Sequence, residues 1–309
     1  MPDNKNIKVS ACIVTYNNSE SIINTVSSII NNTQGVDFTL YISDNNSTDN
    51  TEEISKRFIK ENPELNIKYV VETQRGLSAA RNRGIKESDG EIIIFIDDDA
   101  EVTPNYVEEA IKFFQTYDDV DAMGGKIIPK YEDGKEPEWM SIFLWGLVTK
   151  SDWGNKIRKY PYSKSPYGCS MALRKNVLYD VGLFNEQLIF RSEDKYIFYQ
   201  LKRFKRKYIY NSNFIVFHNI SKERITKEAV KRISFSVGAG EYDRIKHQSI
   251  LKKFIKLIEY FLKLLISVLI SFYYVIKNHP LKGEYLILNR WLTFLGYIKR
   301  MLDDSSKIK

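Results

Sequence analysis

Three consecutive carboxylates, Asp97, Asp98 and Asp99, close an apolar run in the segment EIIIFIDDDAE from Glu91 to Glu101. Side by side at a strand end they repel one another unless a cation or a hydrogen-bond network compensates. The pattern therefore predicts a site for a metal ion and the phosphates it carries. A solvated turn with an acidic cap accounts for a bare triplet equally well. Other apolar runs end in related chemistry: Thr15-Tyr16-Asn17 follows Ser10 to Thr15, and Asp44-Asn45-Asn46-Ser47 follows Thr39 to Ser43. In open α/β sheets ligands bind beyond the carboxyl ends of the strands, so these groups are expected on one edge. No G-x-G-x-x-G follows the first run and no G-x-x-x-x-G-K-[ST] occurs, which argues against a dinucleotide fold and a P-loop.

The elements that must position these groups follow from periodicity. Short apolar runs alternate with helical stretches from Val9 to about Gly125, the pattern of βαβ units and a mainly parallel sheet flanked by helices. Strands are expected at Ser10 to Thr15, Thr39 to Ser43, Ile67 to Val71 and Glu91 to Ile96. Helices are expected at Ser19 to Asn31, Thr48 to Glu61 and Gly76 to Ser88. An aromatic stretch from Pro129 to Tyr167 shows few regular periods and is expected to be a long functional loop. Beyond it, helices are expected at Lys175 to Val181 and Glu193 to Phe204, and a strand near Ile215 to Phe217.

Charge divides the chain. Residues 201–309 hold 23 Lys and Arg against 8 Asp and Glu, a balance of +15, which leaves −8 on residues 1–200 of a chain at net +7. An acidic front with a basic tail implies two jobs. The tail reads LKKFIKLIEYFLKLLISVLISFYYVIK from Leu251, with no charge between Leu264 and Ile276. That uncharged part is shorter than the roughly 20 residues of a membrane span. Interleaved Lys, Tyr and Phe instead predict a helix at Lys252 to Ile276 lying in a lipid headgroup region, paired with Tyr285 to Ile298. A helical hairpin packed on the protein or used for oligomerisation is the alternative. The acidic front argues against nucleic acid at the sheet edge.

Met1 to Lys8 is polar and Val9 to Thr15 is too short for a signal h-region, so the catalytic part is expected in the cytoplasm. Cys12 and Cys169 lack metal-ligand spacing and are expected as reduced packing residues.

The ordered set VSACIVTYNNSESI, YISDNNSTDNT, RGLSAARNRGIKESDGEIIIFIDDDA, SPYGCSMALRK, GLFNEQL, SED and VFHNISKERIT resembles a family 2 inverting glycosyltransferase of the GT-A fold. The resemblance covers about residues 8–240. It implies a catalytic domain over 1–240, with a nucleotide-binding half at 1–125 and an acceptor half at 126–240, followed by a helical, hydrophobic extension at 241–309 outside the resemblance.

Residue by residue, the resemblance implies that Thr15, Tyr16 and Asp44, with Asn17 beside them, hold the nucleotide base. A carboxylate accepts the N3–H of uracil and an aromatic ring stacks on the base; an Asx-turn at a strand end is the alternative for Asp44. Arg81 matches a basic residue facing the nucleotide, with Arg75 and Arg83 as neighbours for a diphosphate or as charges of a solvated face. Asp97 matches a ribose contact and Asp99 a ligand for a divalent cation, Mg²⁺ or Mn²⁺. Asp98 is assigned to the turn, because alternation points it away from its neighbours.

Glu193 and Asp194 match an acidic pair near the acceptor, with Asp194 as general base and Glu193 positioning the acceptor. Helix capping by both is compatible with that role. His218 matches a histidine on the diphosphate or the metal; a satisfied polar residue is the alternative. Gly168 and Ser170 match a segment lining the sugar pocket. Arg224 and Arg232 are placed to close over phosphates or to solvate a helix. Trp139, Trp145 and Trp153 offer flat faces for sugars or lipid headgroups, or interior packing.

The activity implied is transfer of a sugar from a nucleoside-diphosphate donor, UDP-linked, to a glycan or lipid-linked acceptor, at the inner face of the cell membrane with surface contact through residues 251–300. A nucleotidyltransferase is a second enzyme reading, although it wants a Gly-rich basic loop where this chain has Tyr16-Asn17-Asn18-Ser19-Glu20. An inactive nucleotide-sugar-binding or membrane adaptor is a third.

Overall fold

The computed structural model describes residues 7–33, 35–161, 164–188 and 192–306. By contact the chain divides into two units, one of residues 1–128, 151–186 and 193–219, the other of residues 129–150, 187–192 and 220–309.

The sheet starts from β1 (Val9–Thr15), whose residues are all buried. Such a run without polar alternation belongs in the middle of a parallel sheet covered on both faces. It pairs in parallel with β2 (Phe38–Asp44) and with β4 (Ile92–Asp97), and β2 pairs in parallel with β3 (Ile67–Val71). β5 (Ala100–Val102), β6 (Ala122–Tyr131), β7 (Arg158–Lys159), β8 (Ser170–Arg174) and β9 (Tyr208–Ile220) complete a mixed sheet of order β3-β2-β1-β4-β8-β6-β9-β5, with β7 on β9. β8 runs antiparallel to β4, and β5 antiparallel to β9.

Pleat alternation separates two buried layers. Val9, Ala11 and Ile13 pack with Ile92, Ile94 and Ile96 beneath α1 (Ile22–Asn31) and α4 (Tyr106–Thr116). Cys12, Val14, Ile93 and Phe95 face α3 (Leu77–Glu87), α5 (Lys175–Asp180) and α6 (Glu193–Arg203) on the other side. α2 (Thr51–Glu61) links β2 to β3. Gly84 lets α3 sit close on β1, since a Cβ there would lie 2.3 Å from Cys12 Sγ. Among the described residues neither cysteine forms a disulfide, and both are buried.

The expected strands and helices of the first hundred residues appear within a few residues of their reading, and β3 spans Ile67–Val71 as expected. The 129–167 stretch is mostly irregular among its described residues, with a short 3-10 turn at Trp145–Leu147 and the two-residue β7.

The second unit is helical, with α7 (Lys227–Ile245), α8 (Ile250–Ile276) and α9 (Pro280–Ser306). α7 and α9 meet where side chains vanish: a Cβ on Gly238 would lie 1.9 Å from the Thr293 carbonyl oxygen, and one on Gly296 2.2 Å from that of Phe235. Asn289 donates to Ser234 Oγ at 2.9 Å in the same seam. Among the described residues no helix is long and apolar enough to cross a membrane.

Candidate active site

Strand register sets the base of the site. Thr15 stands opposite Asp44, and Val14 opposite Asp97, so three of the expected groups end their strands in one row. Alternation then sends each side chain to a face. Thr15 follows Ile13 toward α1, whereas Asp97 follows Ile93 and Phe95 toward α3 and α6. Asp98 turns back to the α1 face. Its Oδ2 accepts from Thr15 Oγ1 at 2.6 Å, and its carbonyl accepts from Thr25 Oγ1 at 3.0 Å and Asn18 Nδ2 at 3.2 Å. Burial pushes the Asp98 carboxyl up to about 7, with the Thr15 hydrogen bond pulling it down and Asp99 adding to the rise.

On the other face the buried Arg81 joins two acids. Its Nη1 donates to Glu193 Oε1 at 2.8 Å and its Nη2 lies 3.4 Å from Asp97 Oδ1. Burial opposes its charge, but Glu193 and Asp97 outweigh that and hold its pKa above the ordinary value. Gly168 makes the space, because a Cβ there would lie 2.2 Å from Arg81 Nη2. The Phe184 ring centre is 5.4 Å from the guanidinium. Arg81 thus stands in the floor of the site, between Asp97 and Glu193.

Asp97, Asp99 and His218 each offer a ligand atom, all within 4.8 Å of one another. β9 delivers the buried His218 by pairing it with Ala100, and its Nε2 lies 3.2 Å from Asp99 Oδ1. Burial raises the Asp97 pKa; Arg81 counters it and the neighbouring Asp99 adds to it. Crowded carboxylates beside an imidazole form a donor set for a hard divalent cation, which would relieve that repulsion. The residues present fit such an ion.

At the β1 and β2 ends, Asp44 is buried and both of its carboxylate oxygens accept hydrogen bonds. Its Oδ1 accepts from Ser47 N at 2.8 Å and Ser47 Oγ at 2.6 Å, and its Oδ2 accepts from Tyr69. The Asx-type turn weighed for this residue is therefore present. Asn17 and Asn46 both adopt positive φ, which asparagine tolerates. Asn17 Oδ1 accepts from Thr48 N at 2.7 Å, tying the two loops together. Tyr16 stays 43% exposed with the Arg75 guanidinium 5.4 Å from its ring centre, a flat and charged surface at the mouth of this region. Asn45 holds the loop before α3, donating to the Gln74 carbonyl at 2.7 Å and accepting from Gly76 N at 2.7 Å.

Glu193 and Asp194 occupy the first turn of α6, where the helix dipole favours anions. Burial, then Glu193, pushes the Asp194 carboxyl up to about 6, while Lys195 and Arg81 hold it down. A carboxyl poised there is still ionised at neutral pH and more basic than an ordinary aspartate, which suits proton abstraction.

Arg83 pairs with Glu87 along α3 at 2.9 Å. Ser170 Oγ lies 3.3 Å from Tyr106 Oη. In the second unit Arg224 Nη2 donates to Thr149 Oγ1 at 3.4 Å, and Arg232 lies exposed on α7. Trp139, also there, is buried and stacks on Tyr285 at 4.7 Å between ring centres, so it takes the packing role.

Residues 10–187 match the sequence profile of Glycosyl transferase family 2. The chain belongs to glycosyl transferase family 2. The matched region of this family 2 enzyme holds Thr15, Asp44, Arg81 and the Asp97 to Asp99 turn, and it ends before Glu193, Asp194 and His218. Over 243 residues it is 26% identical to YibD, an uncharacterised glycosyltransferase of Escherichia coli strain K12, covering 75% of this chain and 68% of that one. It is 29% identical to the dolichol-phosphate mannosyltransferase of Pyrococcus furiosus over 57% of this chain and 49% of the relative, so it spans about half that protein's length.

Solved structures share the fold. The mannosyltransferase PcManGT of Pyrobaculum calidifontis, in complex with GDP-Man and Mn²⁺, superposes with a TM-score of 0.64 at 17% identity over 98% of this chain and 90% of that one. S. aureus TarS 1–349 with UDP gives 0.53 at 18% identity over 97% and 91%. The family 2 chain thus has the GT-A fold, a mixed sheet flanked by helices with a C-terminal helical extension.

Sequence reading missed Tyr69 and Asn18, whose partners Asp44 and Asp98 lie far along the chain, and it named Asn45 without its tie to the loop before α3. The glycine in Tyr167-Gly168-Cys169 was the available sign of a close approach, and Arg81 is what approaches.

Proposed function

We propose that this enzyme moves a glycosyl group from a nucleoside-diphosphate sugar, UDP-linked, to a glycan or lipid-linked glycan acceptor, with inversion at the anomeric carbon. The carrying observation is the Asp97, Asp99 and His218 cluster on the sheet edge that also holds Asp194 through Arg81 and Glu193. Asp99 and His218, with Asp97 at their side, would hold Mg²⁺ or Mn²⁺, which supplies neutralisation of the charge that develops on a leaving diphosphate. Asp97 also reaches the ribose. Thr15, Tyr16, Asn17 and Asp44 form the wall for the base, with Tyr16 as its exposed ring. Asp194 takes the proton of the acceptor hydroxyl as that oxygen attacks from the side opposite the leaving group, and Glu193, anchored by Arg81, positions the acceptor. Fold neighbours solved with GDP-Man and Mn²⁺, and with UDP, support the donor class. The enzyme works in the cytoplasm, peripheral at the inner face of the cell membrane, with residues 251–300 against the lipid.

Release of nucleoside diphosphate from a panel of UDP-sugars and GDP-mannose, with Mn²⁺, Mg²⁺ or EDTA, tests this reading. Metal-dependent release from one UDP-sugar is expected. Release without metal, binding without turnover as an adaptor would show, or pyrophosphate as a nucleotidyltransferase product would overturn it.

A further inference from the structure

Helix α8 packs on its neighbours through one face, where Leu257, Tyr260, Ile270 and Tyr274 join the apolar clusters, and leaves a second apolar face bare. Its inner side, which packs on α9, carries Lys253, Tyr260, Ser267 and Ser271: Tyr297 Oη donates to the Lys253 carbonyl at 2.9 Å, Ser267 is buried, and a Cβ on Gly283 would lie 2.2 Å from Ser271 Oγ. At about 100° per residue, every position within roughly 60° of Leu251 on the helical wheel, as far as Ile276, is Leu, Ile, Phe or Tyr. These side chains remain 43–74% exposed, as at Ile258 (43%), Leu262 (49%) and Leu269 (74%). The result is an apolar stripe about 40 Å long on a helix already folded onto its own neighbours. Contiguous apolar surface of that size marks a contact site.

Two features choose the occupant. Leu251 and Leu269 are 18 residues apart, five whole turns at 3.6 residues each, so the stripe runs straight along the helix. A coiled-coil seam drifts to a 3.5-residue period and is narrower; a straight, wide stripe fits a flat surface. Along one flank, Lys252, Lys263 and Lys277 follow the stripe, and beside the other edge Trp291, 45% exposed, lies near Phe294, whose ring centre is 6.1 Å from that of Phe261. Glu259, the acid beside the lysine flank, is neutralised by Lys256 and Lys263. A lysine border with aromatics at the edge matches the negative headgroup layer of a bilayer, and among the described residues no helix is long and apolar enough to cross one.

We propose that α8 is an in-plane anchor for an anionic bilayer, buried to the level of its Leu251 to Ile276 stripe with Lys252, Lys263 and Lys277 on the headgroups. This rests on the membrane contact proposed above and adds to it the face, the orientation and the headgroup charge. The occupant is a lipid surface, and a second copy of the chain is the competing outcome.

The 309-residue chain is floated with neutral phosphatidylcholine vesicles and with vesicles containing phosphatidylglycerol, at low and high salt, and its oligomeric state is measured without lipid. Expected is binding to the anionic vesicles that weakens with salt. The double change Leu262→Glu, Leu269→Glu, at exposed positions that leave the unfolding midpoint unmoved, lowers partitioning at least tenfold. Lys252→Gln with Lys277→Gln lowers it about fivefold per lysine. Vesicle binding that the leucine changes leave intact would overturn the α8 assignment while membrane contact stands. Absence of vesicle binding would sink both, and an oligomer split by the leucine changes would then assign the stripe to a second copy.

Discussion

Arg81 donates to Glu193 at 2.8 Å although 112 positions separate them in the chain, and this bond joins α3 to the first turn of α6. The same guanidinium reaches Asp97 at the end of β4, so one side chain links the proposed base-bearing helix to the proposed cation cluster. Removing one partner of a buried ion pair leaves the other charge stranded, at a cost of about 3–5 kcal/mol. Arg81→Gln is expected to lower the free energy of chemical unfolding by that order and to reduce turnover. Gly168→Ala should weaken turnover without deleting any charge, because its Cβ displaces Nη2. An Arg81→Gln protein as stable and as active as the parent would show that the bridge carries neither role.

The raised carboxyl of Asp194, at about 6, fixes the pH profile. A base works deprotonated, so kcat/KM should rise about tenfold per pH unit below 6 and level off above it. Asp194→Asn should remove that limb and about 10²–10⁴-fold of the rate. Stability runs the other way. A folded-state value above the unfolded one means the folded chain binds the proton more tightly, so this carboxyl disfavours folding once pH rises through 6. Asp194→Asn is therefore expected to have an unfolding midpoint at pH 8 no lower than the parent's. An unchanged acid limb in the variant would remove Asp194 from the base role.

What the residues themselves disclosed was local. β1 to β4 are apolar runs that stop at polar residues, and the stops are the site, so Thr15, Asp44 and Asp97 could be placed on one edge from spacing alone. Asp98 followed from the pleat. Contacts that depend on distant pairing were not legible: the bridge from Arg81 to Glu193, the Tyr69 bond to Asp44, and the β9 register that lays His218 beside Asp99. The family resemblance brought Arg81, Glu193, Asp99 and His218 into one site, and nothing in the sequence pointed to Tyr69. β9 itself was read as three residues at Ile215 to Phe217 because Asn211, Ser212 and Asn213 break its apolar run, yet Asn211 is buried and donates to Glu109 at 3.0 Å. α7 showed in the sequence only as a helix that Arg232 would solvate; Gly238 and Gly240 are poor helix residues, and Gly238 sits against the Thr293 carbonyl of α9.

If Asp99 and His218 hold the cation while Asp194 handles the proton, their losses should separate. Asp99→Asn and His218→Ala should each weaken Mn²⁺-dependent binding of nucleoside diphosphate by at least about tenfold, the lower range already seen for groups that only support a ligand. Asp194→Asn should bind donor nucleotide nearly as the parent does and fail in transfer. Titration of the nucleotide with Mn²⁺ and with EDTA reads the first property, and product release reads the second. Equal loss of both properties in all three variants would abolish the division of roles.

The last contact open to test is the one that fixes the acidic turn. Thr15 Oγ1 donates to Asp98 at 2.6 Å, on the face opposite the cation cluster. Thr15→Val keeps the shape of the side chain and removes the donor, leaving a carboxyl in a buried setting short of a partner. The expected destabilisation is about 1–3 kcal/mol. Thr15→Ser retains the hydroxyl and should restore most of the stability. Because Asp97 and Asp99 flank the turn, Thr15→Val should also weaken Mn²⁺-dependent nucleotide binding, and Thr15→Ser should recover it. A valine variant with parental stability and parental nucleotide affinity would show that Asp98 is held by its backbone bonds to Thr25 and Asn18 alone.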